Sequence, residues 1–476
     1  MSGSGEASAG TQLRGAIGRG GFFTLAFGAI VGSGWVVVLG EWLKAAGPLG
    51  VVLGFAAGGV AMILIALCYG ELASRFAHAG GEFLYTLHTL GPFLGFLVGW
   101  FLTLYSVAVC VFEAVALAWM VRTLLPGIAL GDAYHIAGGP VSWDALLIGI
   151  VATLGLGALH YHGAKSAIRF QNAVTSSFIA AIIVLILCGL WWGNAANLKP
   201  WVAAAPAHWV GGAIWVFSTC AFFLNGWQAS LHAIEERRTS LSAAGAVACM
   251  VAGIAAAAVF YTAIVLSASM ALPWRTLIGR DLPAAAAFGA LGFGGLLGTL
   301  VLIAAIVSLT KTWSAMIWMS SRVLFAQARH GMLPRYMAEV DPKSGVPRKA
   351  ILFVTLLSLA GLALGRSAIL PIVNMVSICL ALSIILCLIV LLRRRRRAAN
   401  ELPPFTVPGG TPTILIALVC ATLMVGVALI EPIVEGGGRI PPEWILLGLW
   451  AAVGVAVWLT TRNLRKPNAP QAARPA

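Results

Sequence analysis

The strongest constraint on this chain is an apolar run from about Phe22 to Leu43, interrupted at its centre by Gly28-Ala29-Ile30-Val31-Gly32-Ser33-Gly34-Trp35. The run reaches the roughly 20 residues that a helix needs to cross a bilayer. Three glycines and a serine nonetheless fall where a plain anchor carries Leu or Ala, and glycine weakens a helix interior by roughly 1 kcal/mol relative to Ala. Unwound backbone at membrane depth survives only where protein or a cavity surrounds it, because lipid satisfies no N–H or C=O group. The stretch therefore reads either as a broken helix whose freed backbone binds something, or as a close helix contact of the GxxxG kind.

Composition sets the class. The 476 residues are 60% hydrophobic and 10% charged, where a soluble chain carries about 25% charged residues. This is an all-α polytopic membrane protein. Its eight cysteines, Cys68, Cys110, Cys188 and Cys220 among them, stand singly in apolar runs and suggest neither a disulfide framework nor a metal site. The polar start from Met1 to Gly10 is expected to carry no cleavable signal. Hydropathy gives about twelve spans, at 21–45, 49–73, 93–124, 143–160, 167–193, 209–234, 242–270, 293–326, 349–365, 368–392, 411–431 and 442–461. With both termini in the cytoplasm, about 22 of the 30 Lys and Arg fall inside and about seven outside, with Lys311 left within a span. Positive charge concentrates on cytoplasmic loops, so the net charge of +14 reflects topology in a cell membrane and not nucleic-acid binding. The run Arg393–Arg397 reads most simply as a stop at the cytoplasmic interface, with an anionic lipid headgroup as the alternative.

A second interruption lies in span six, where Ala221-Phe222-Phe223-Leu224-Asn225-Gly226-Trp227-Gln228 puts Asn-Gly at mid-membrane. Both residues favour leaving a helix. If the chain is two repeats of five spans, span six is the counterpart of span one, and the odd number inverts the second copy. Paired interruptions in two halves point to a transporter's binding site, which favours the binding reading of residues 28–35. The expected organisation is a tail at 1–20, repeats at 21–193 and 194–392, a basic loop at 393–410, peripheral spans at 411–461 and a tail at 462–476. After span two, Tyr69-Gly70-Glu71-Leu72-Ala73-Ser74-Arg75 and then Ala79-Gly80-Gly81-Glu82 place a carboxylate one turn before an arginine, followed by a glycine reversal. This pattern reads as a loop that caps a helix.

Together these residues resemble the amino acid–polyamine–organocation transporters. The resemblance rests on Gly32-Ser33-Gly34, on YGELASRF with AGGE, and on Phe222 spaced before Gly226-Trp227. It also rests on Ser321-Arg322-Val323-Leu324-Phe325-Ala326-Gln327-Ala328-Arg329-His330-Gly331-Met332-Leu333-Pro334 with Pro342-Lys343 and Pro347, and on Gly163-Ala164-Lys165 with Gln171-Asn172. It covers roughly residues 20–395. The resemblance implies the five-plus-five inverted-repeat fold of the bacterial leucine transporter, about twelve helices with the first and sixth broken and two peripheral. It implies that the backbone of Gly32, Ser33 and Gly34 binds a substrate α-carboxylate, a role suited to N–H groups and dipole at the start of a half-helix. Carbonyls at Ile30, Phe222 and Asn225 would take the α-ammonium, and Phe222 would be an aromatic gate.

Other side chains bear on selectivity and coupling. Trp35 either narrows the pocket or faces a neighbouring helix, and Trp227 adjoins the second break. Gln228 stands where some relatives carry a glutamate, so that acid is missing here. Glu113, in the middle of span three, is the clearest intramembrane acid; a lone charge there costs at least about 2.5–3.5 kcal/mol, which makes it a functional candidate by default. It either binds a cationic substrate group or carries a proton. Lys311 lies near the middle of span eight. The favoured expectation is that Glu113 and Lys311 neutralise each other across the two spans. In the alternative, Lys311 beside Thr312 takes over the cation role that several relatives give to a lysine in span five, a position that here is Phe178. Hydroxyls at Ser308 and Thr312 leave sodium coupling open, although such groups more often bond back to their own helix.

The leading expectation is a secondary active transporter for an amino acid or related amine, working by alternating access and coupled to protons or to exchange. Neutral amino acids come first, because Glu113 stands alone and is expected to be paired; cationic amino acids or polyamines come second. A channel or a transporter-like nutrient sensor would keep the same fold. No enzyme, cofactor or metal is expected: His160-Tyr161-His162 lacks a third ligand, and no HExxH, GxSxG or GK[ST] motif occurs.

Overall fold

The computed structural model describes residues 17–76, 79–136, 139–203, 206–365, 369–397, 403–435 and 442–465. The expected first span is broken as its glycines require. Helix α1 (Arg19–Ile30) ends at the interruption, and α2 (Gly34–Val37) resumes beyond it and leads into α3 (Leu39–Arg75). Within α3, Gly47 (φ +70°) and Pro48 kink the chain and separate the first crossing from the second. A Cβ on Gly47 would lie 2.6 Å from the Ala203 amide nitrogen, so the left-handed turn and the close approach both need glycine.

A short helix α4 (Glu82–Leu90) precedes α5 (Pro92–Leu124), and an antiparallel hairpin, β1 (Asp132–Ile136) and β2 (Gly139–Ser142), leads to α6 (Trp143–His162) and α7 (Ala164–Trp192). The second interruption separates α8 (Pro206–Phe223) from α9 (Gln228–His232). Then come α10 (Ala243–Ala271), α11 (Pro283–Gly289), α12 (Leu296–Arg329), α13 (Arg348–Leu362), α14 (Ile369–Arg397), α15 (Gly410–Glu435) and α16 (Pro442–Thr460).

Among the described residues ten segments are long and apolar enough to cross a membrane, the halves of each broken helix counting together. The expectation of about twelve places further spans at α13, which has only 15 residues, and at α14, a 29-residue helix some of whose side chains lie outside the described residues. Helix α5 lies at the centre, with 83% of its most apolar window buried, whereas α16 has 11% and is peripheral.

Two sequence signatures acquire partners. Glu71 pairs with Arg395 and with Arg75 (3.4 Å) and accepts the Val407 amide at 2.9 Å. Arg394 bonds Thr89 (3.2 Å) and lies 5.0 Å from the Phe76 ring. The YGELASR stretch therefore ties α3 to the end of α14 instead of only capping a helix. Arg393, Arg396 and Arg397 stay exposed.

Candidate substrate and coupling site

Where α1 ends, its last carbonyls have no helical donors left. A single face of α12 supplies them. Ser308 Oγ donates to the carbonyls of Val31 (2.7 Å) and Gly32 (2.9 Å), and Thr312 Oγ1 donates to those of Gly28 (2.9 Å) and Val31 (3.1 Å). Lys311 Nζ donates to the Val31 carbonyl and, at 3.3 Å, to that of Gly28. These three side chains share a face because positions i, i+3 and i+4 are neighbours on a helix. Lys311 is fully buried, and its ammonium stands 4.5 Å from the ring centre of Phe178 and 5.8 Å from that of Phe27. Two aromatic faces and two carbonyls thus replace the water the ammonium has lost.

Glu113 approaches the same break from α5. A Cβ on Gly32 would lie 2.9 Å from Glu113 Oε1, so the carboxylate tip sits directly against the glycine motif. Glu113 is 2% exposed and its Oε2 has no hydrogen-bond partner. Among the described residues no ion pair within 4.0 Å joins it to Lys311. The two groups face the same break without a direct ion pair. The lysine turns instead to the freed carbonyls and to Phe178, leaving the carboxylate at the glycine motif.

At the second break, Gly226 has φ +103°, and a Cβ there would lie 2.6 Å from the Ala29 carbonyl oxygen. The two interruptions thus meet backbone to backbone. Asn225 Oδ1 and Gln228 Oε1 both accept the Gly226 amide, at 2.7 and 3.1 Å, and Asn225 Nδ2 donates to Ala221 at 2.9 Å. Gln228 Nε2 is buried without a partner. Trp227 stands edge-on to Tyr69, 5.0 Å between centroids.

The other candidates divide. Ile30 and Ser33 are buried at the first break, the Ser33 hydroxyl without a partner. Trp35 packs against Phe178 (6.2 Å) and Phe260 (5.8 Å), so of its two readings the one that faces neighbouring helices is the one observed. The aromatic ring pressed on the glycine motif belongs to Phe223, whose Cε1 would be 2.4 Å from a Cβ on Gly34. Phe222, read as an aromatic gate, is half-buried and meets Phe223 edge-to-face at 5.0 Å. Sequence reading missed Phe223, although the Phe-Phe pair before a glycine break was a visible signal. It also missed Thr175, which with Gln171 fills the space beside Gly28.

Two interrupted helices meeting over buried charge, in a chain whose described residues hold ten candidate membrane spans, define a multi-pass membrane carrier. Residues 18–457 match the amino acid permease family, and the chain belongs to it. It is similar to the methylthioribose transporter of Bacillus subtilis, 28% identical over 68% of this chain and 69% of that one. It is similar also to the branched-chain amino acid permease BcaP of the same organism, 27% identical over 69% and 70%. With the chloroplastic cationic amino acid transporter 9 of Arabidopsis thaliana it shares 28% identity over 67% of this chain and 56% of that one. The protein is an amino acid transporter.

Proposed function

We propose that the protein moves its substrate by alternating access, with residues 21–193 and 194–392 as inverted repeats and Lys311 as the coupling cation. In this reading the backbone of Gly32, Ser33 and Gly34 holds the α-carboxylate. Carbonyls at Ile30, Phe222 and Asn225 hold the α-ammonium, with Trp227 and Gln228 beside them, and Phe223 closes on Gly34. The observation that carries it is the Lys311 ammonium on the Gly28 and Val31 carbonyls, an oxygen cage that the Ser308 and Thr312 hydroxyls brace from the same helix. An oxygen cage of this kind suits a cation. Here a side chain supplies it from span eight, beside the span-five position, Phe178, that the family resemblance marks for a lysine. Loss of the Lys311 proton would empty the cage of charge and loosen the break, which links a proton to opening. In proteoliposomes, Lys311→Ala is expected to lower pH-driven uptake sharply; unchanged uptake with unchanged pH dependence refutes the assignment.

The preference for neutral substrates assumed that Lys311 neutralises Glu113. With no such contact within 4.0 Å, the better-supported substrate brings its own positive group to Glu113, as a cationic amino acid or amine does. The second reading, a neutral amino acid carried with a proton on Glu113, is favoured by the near-complete burial of that side chain. A thermal-shift screen separates them, because a ligand at 100 times its dissociation constant stabilises by roughly 2.7 kcal/mol. Shifts with arginine, lysine or diamines but not with leucine or valine support the first. The charge pattern favours cytoplasmic termini in a cell membrane, and the exposed Arg393, Arg396 and Arg397 suit an anionic lipid headgroup.

A further inference from the structure

The glycine reversal Ala79-Gly80-Gly81-Glu82 plays no part in the site, yet it lies against the helix that leaves the second break. Three acid–base links converge on residues 232–236. Glu235 accepts two bonds from Arg329, both 2.9 Å, and takes the Ala79 amide at 2.7 Å. Glu236 accepts two from Arg322, at 2.8 and 3.2 Å, and that guanidinium stacks 3.9 Å over Trp318. His232 Nε2 lies 2.8 Å from Glu82 Oε2. Ile17 bonds through its backbone to Glu236 and Arg238 (3.0 and 2.9 Å), which ties the approach to α1 into the same clamp. These contacts join the approach to α1, the start of α4, α9 with the turn after it, and the end of α12.

The three links differ in quality. The two arginine pairs are forked, each offering a guanidinium that stays protonated, the strongest form of such contact. The third is a single contact: neither oxygen of Glu82 and neither ring nitrogen of His232 makes an aligned hydrogen bond, although both residues are at most 1% exposed. A buried polar contact with poor alignment recovers little of its desolvation cost. Its setting is nevertheless specific. Gly81 has φ +45°, and a Cβ there would lie 2.6 Å from His232 Cε1, so the histidine ring seats on a glycine turn that no other residue fits. His232 also stands one turn beyond Gln228, so its movement acts directly on the second break.

We propose that Glu82–His232 is the release point of this clamp: a positioning pair that holds α9 to α4 while the N-terminal side is shut, and whose separation lets the second break open that way. The inference rests on the alternating-access reading above. Glu82→Ala, His232→Ala, the double variant and the exchanged pair Glu82→His with His232→Glu test it in oriented proteoliposomes. Loosening the clamp shifts the population toward opening on the N-terminal side, so each single variant should raise KM on the opposite side about tenfold and lower it on the N-terminal side. The double variant should add nothing beyond either single, and the exchanged pair should move back toward the parent, as expected for one shared contact. Amide exchange in segments 17–30 and 228–236 should quicken about tenfold in the single variants while α10 stays protected. The proposal is overturned if both KM values move together, if only the maximal rate falls, if the single effects add, or if exchange quickens in α10 as well. If the parent protein carries nothing from either side, the transport reading fails, and the exchange measurement still decides the latch.

Discussion

At the first break the carbonyls of Gly28, Val31 and Gly32 are taken by Ser308, Lys311 and Thr312 on a helix distant in sequence. At the second, the Gly226 amide is taken by Asn225 and Gln228, one and two residues away. Freed backbone must find partners in both places, and the source of the partner decides what each break can do. A break braced by another helix, through a titratable ammonium, changes when that helix moves or that charge changes. A break satisfied by its own neighbours keeps its shape while its surroundings move. The first is suited to respond to a coupling ion, and the second to act as a hinge that transmits the response to the clamp at 232–236.

The largest effect should come from moving the brace. Charge-assisted bonds are worth about 1.5–3 kcal/mol each, so Lys311→Ala should lower pH-driven uptake about 100-fold, 1.4 kcal/mol being a factor of ten. Adding Phe178→Lys, which puts an ammonium on α7 where the Lys311 ammonium stands 4.5 Å from the ring, should restore part of it. If the double variant folds, judged by its melting curve, yet stays as inactive as the single, the cage requires a cation from α12, and the idea of an interchangeable cation falls. Glu113→Gln comes next. With cationic substrates it should weaken binding about tenfold or more, through loss of one charge-assisted contact, and leave neutral ligands unaffected. Equal weakening of both classes would make Glu113 part of the common site.

The breaks themselves were legible because glycine and asparagine at mid-membrane are local signals that no lipid-facing helix needs. The partners were not, because partners are tertiary. Glu113 and Lys311 both sit mid-span, and pairing them was the simplest way to cancel two buried charges. The fold offers the lysine freed carbonyls and two aromatic faces, and sequence alone cannot say that these lie nearer. Phe222 and Phe223 point about 100° apart on a helix, so which ring meets Gly34 depends on the phase with which α8 reaches the break. His232 gave no signal at all: a lone histidine in an apolar stretch, its partner Glu82 far back in the chain on a loop read as a cap.

Glycine substitutions sharpen the comparison further. Gly226→Ala forces a left-handed residue, at about 1–2 kcal/mol, and drives a methyl to 2.6 Å from the Ala29 carbonyl, which is backbone and cannot turn aside. It should lower the melting temperature by several degrees, since about 1 kcal/mol moves it by roughly 2–4 °C in domains of 150–250 residues. Gly32→Ala meets only the tip of the Glu113 side chain, at 2.9 Å. It should spare stability more and disturb substrate affinity more. The reverse ranking would mean that the first break, and not the second, is the rigid one.

The smallest expected effect is the most direct test of whether the second break satisfies itself. The Gly226 amide has two acceptors, Asn225 Oδ1 at 2.7 Å and Gln228 Oε1 at 3.1 Å, so removing the longer one leaves the shorter in place. A hydrogen bond contributes a net of about 0.5–1.5 kcal/mol, and more is lost only when a buried group is left unsatisfied. Gln228→Ala leaves no such group behind: the amide keeps Asn225, and the unpartnered Nε2 of Gln228 disappears with its side chain. Its cost should fall at the low end, about 0.5 kcal/mol, below that of Asn225→Ala, which also strips the Ala221 carbonyl of its 2.9 Å donor. Melting curves of the two variants decide the order. If Gln228→Ala proves the more damaging, the second break is held by its far side and not by Asn225. Unchanged stability with weakened substrate binding would instead assign the free Nε2 to the substrate.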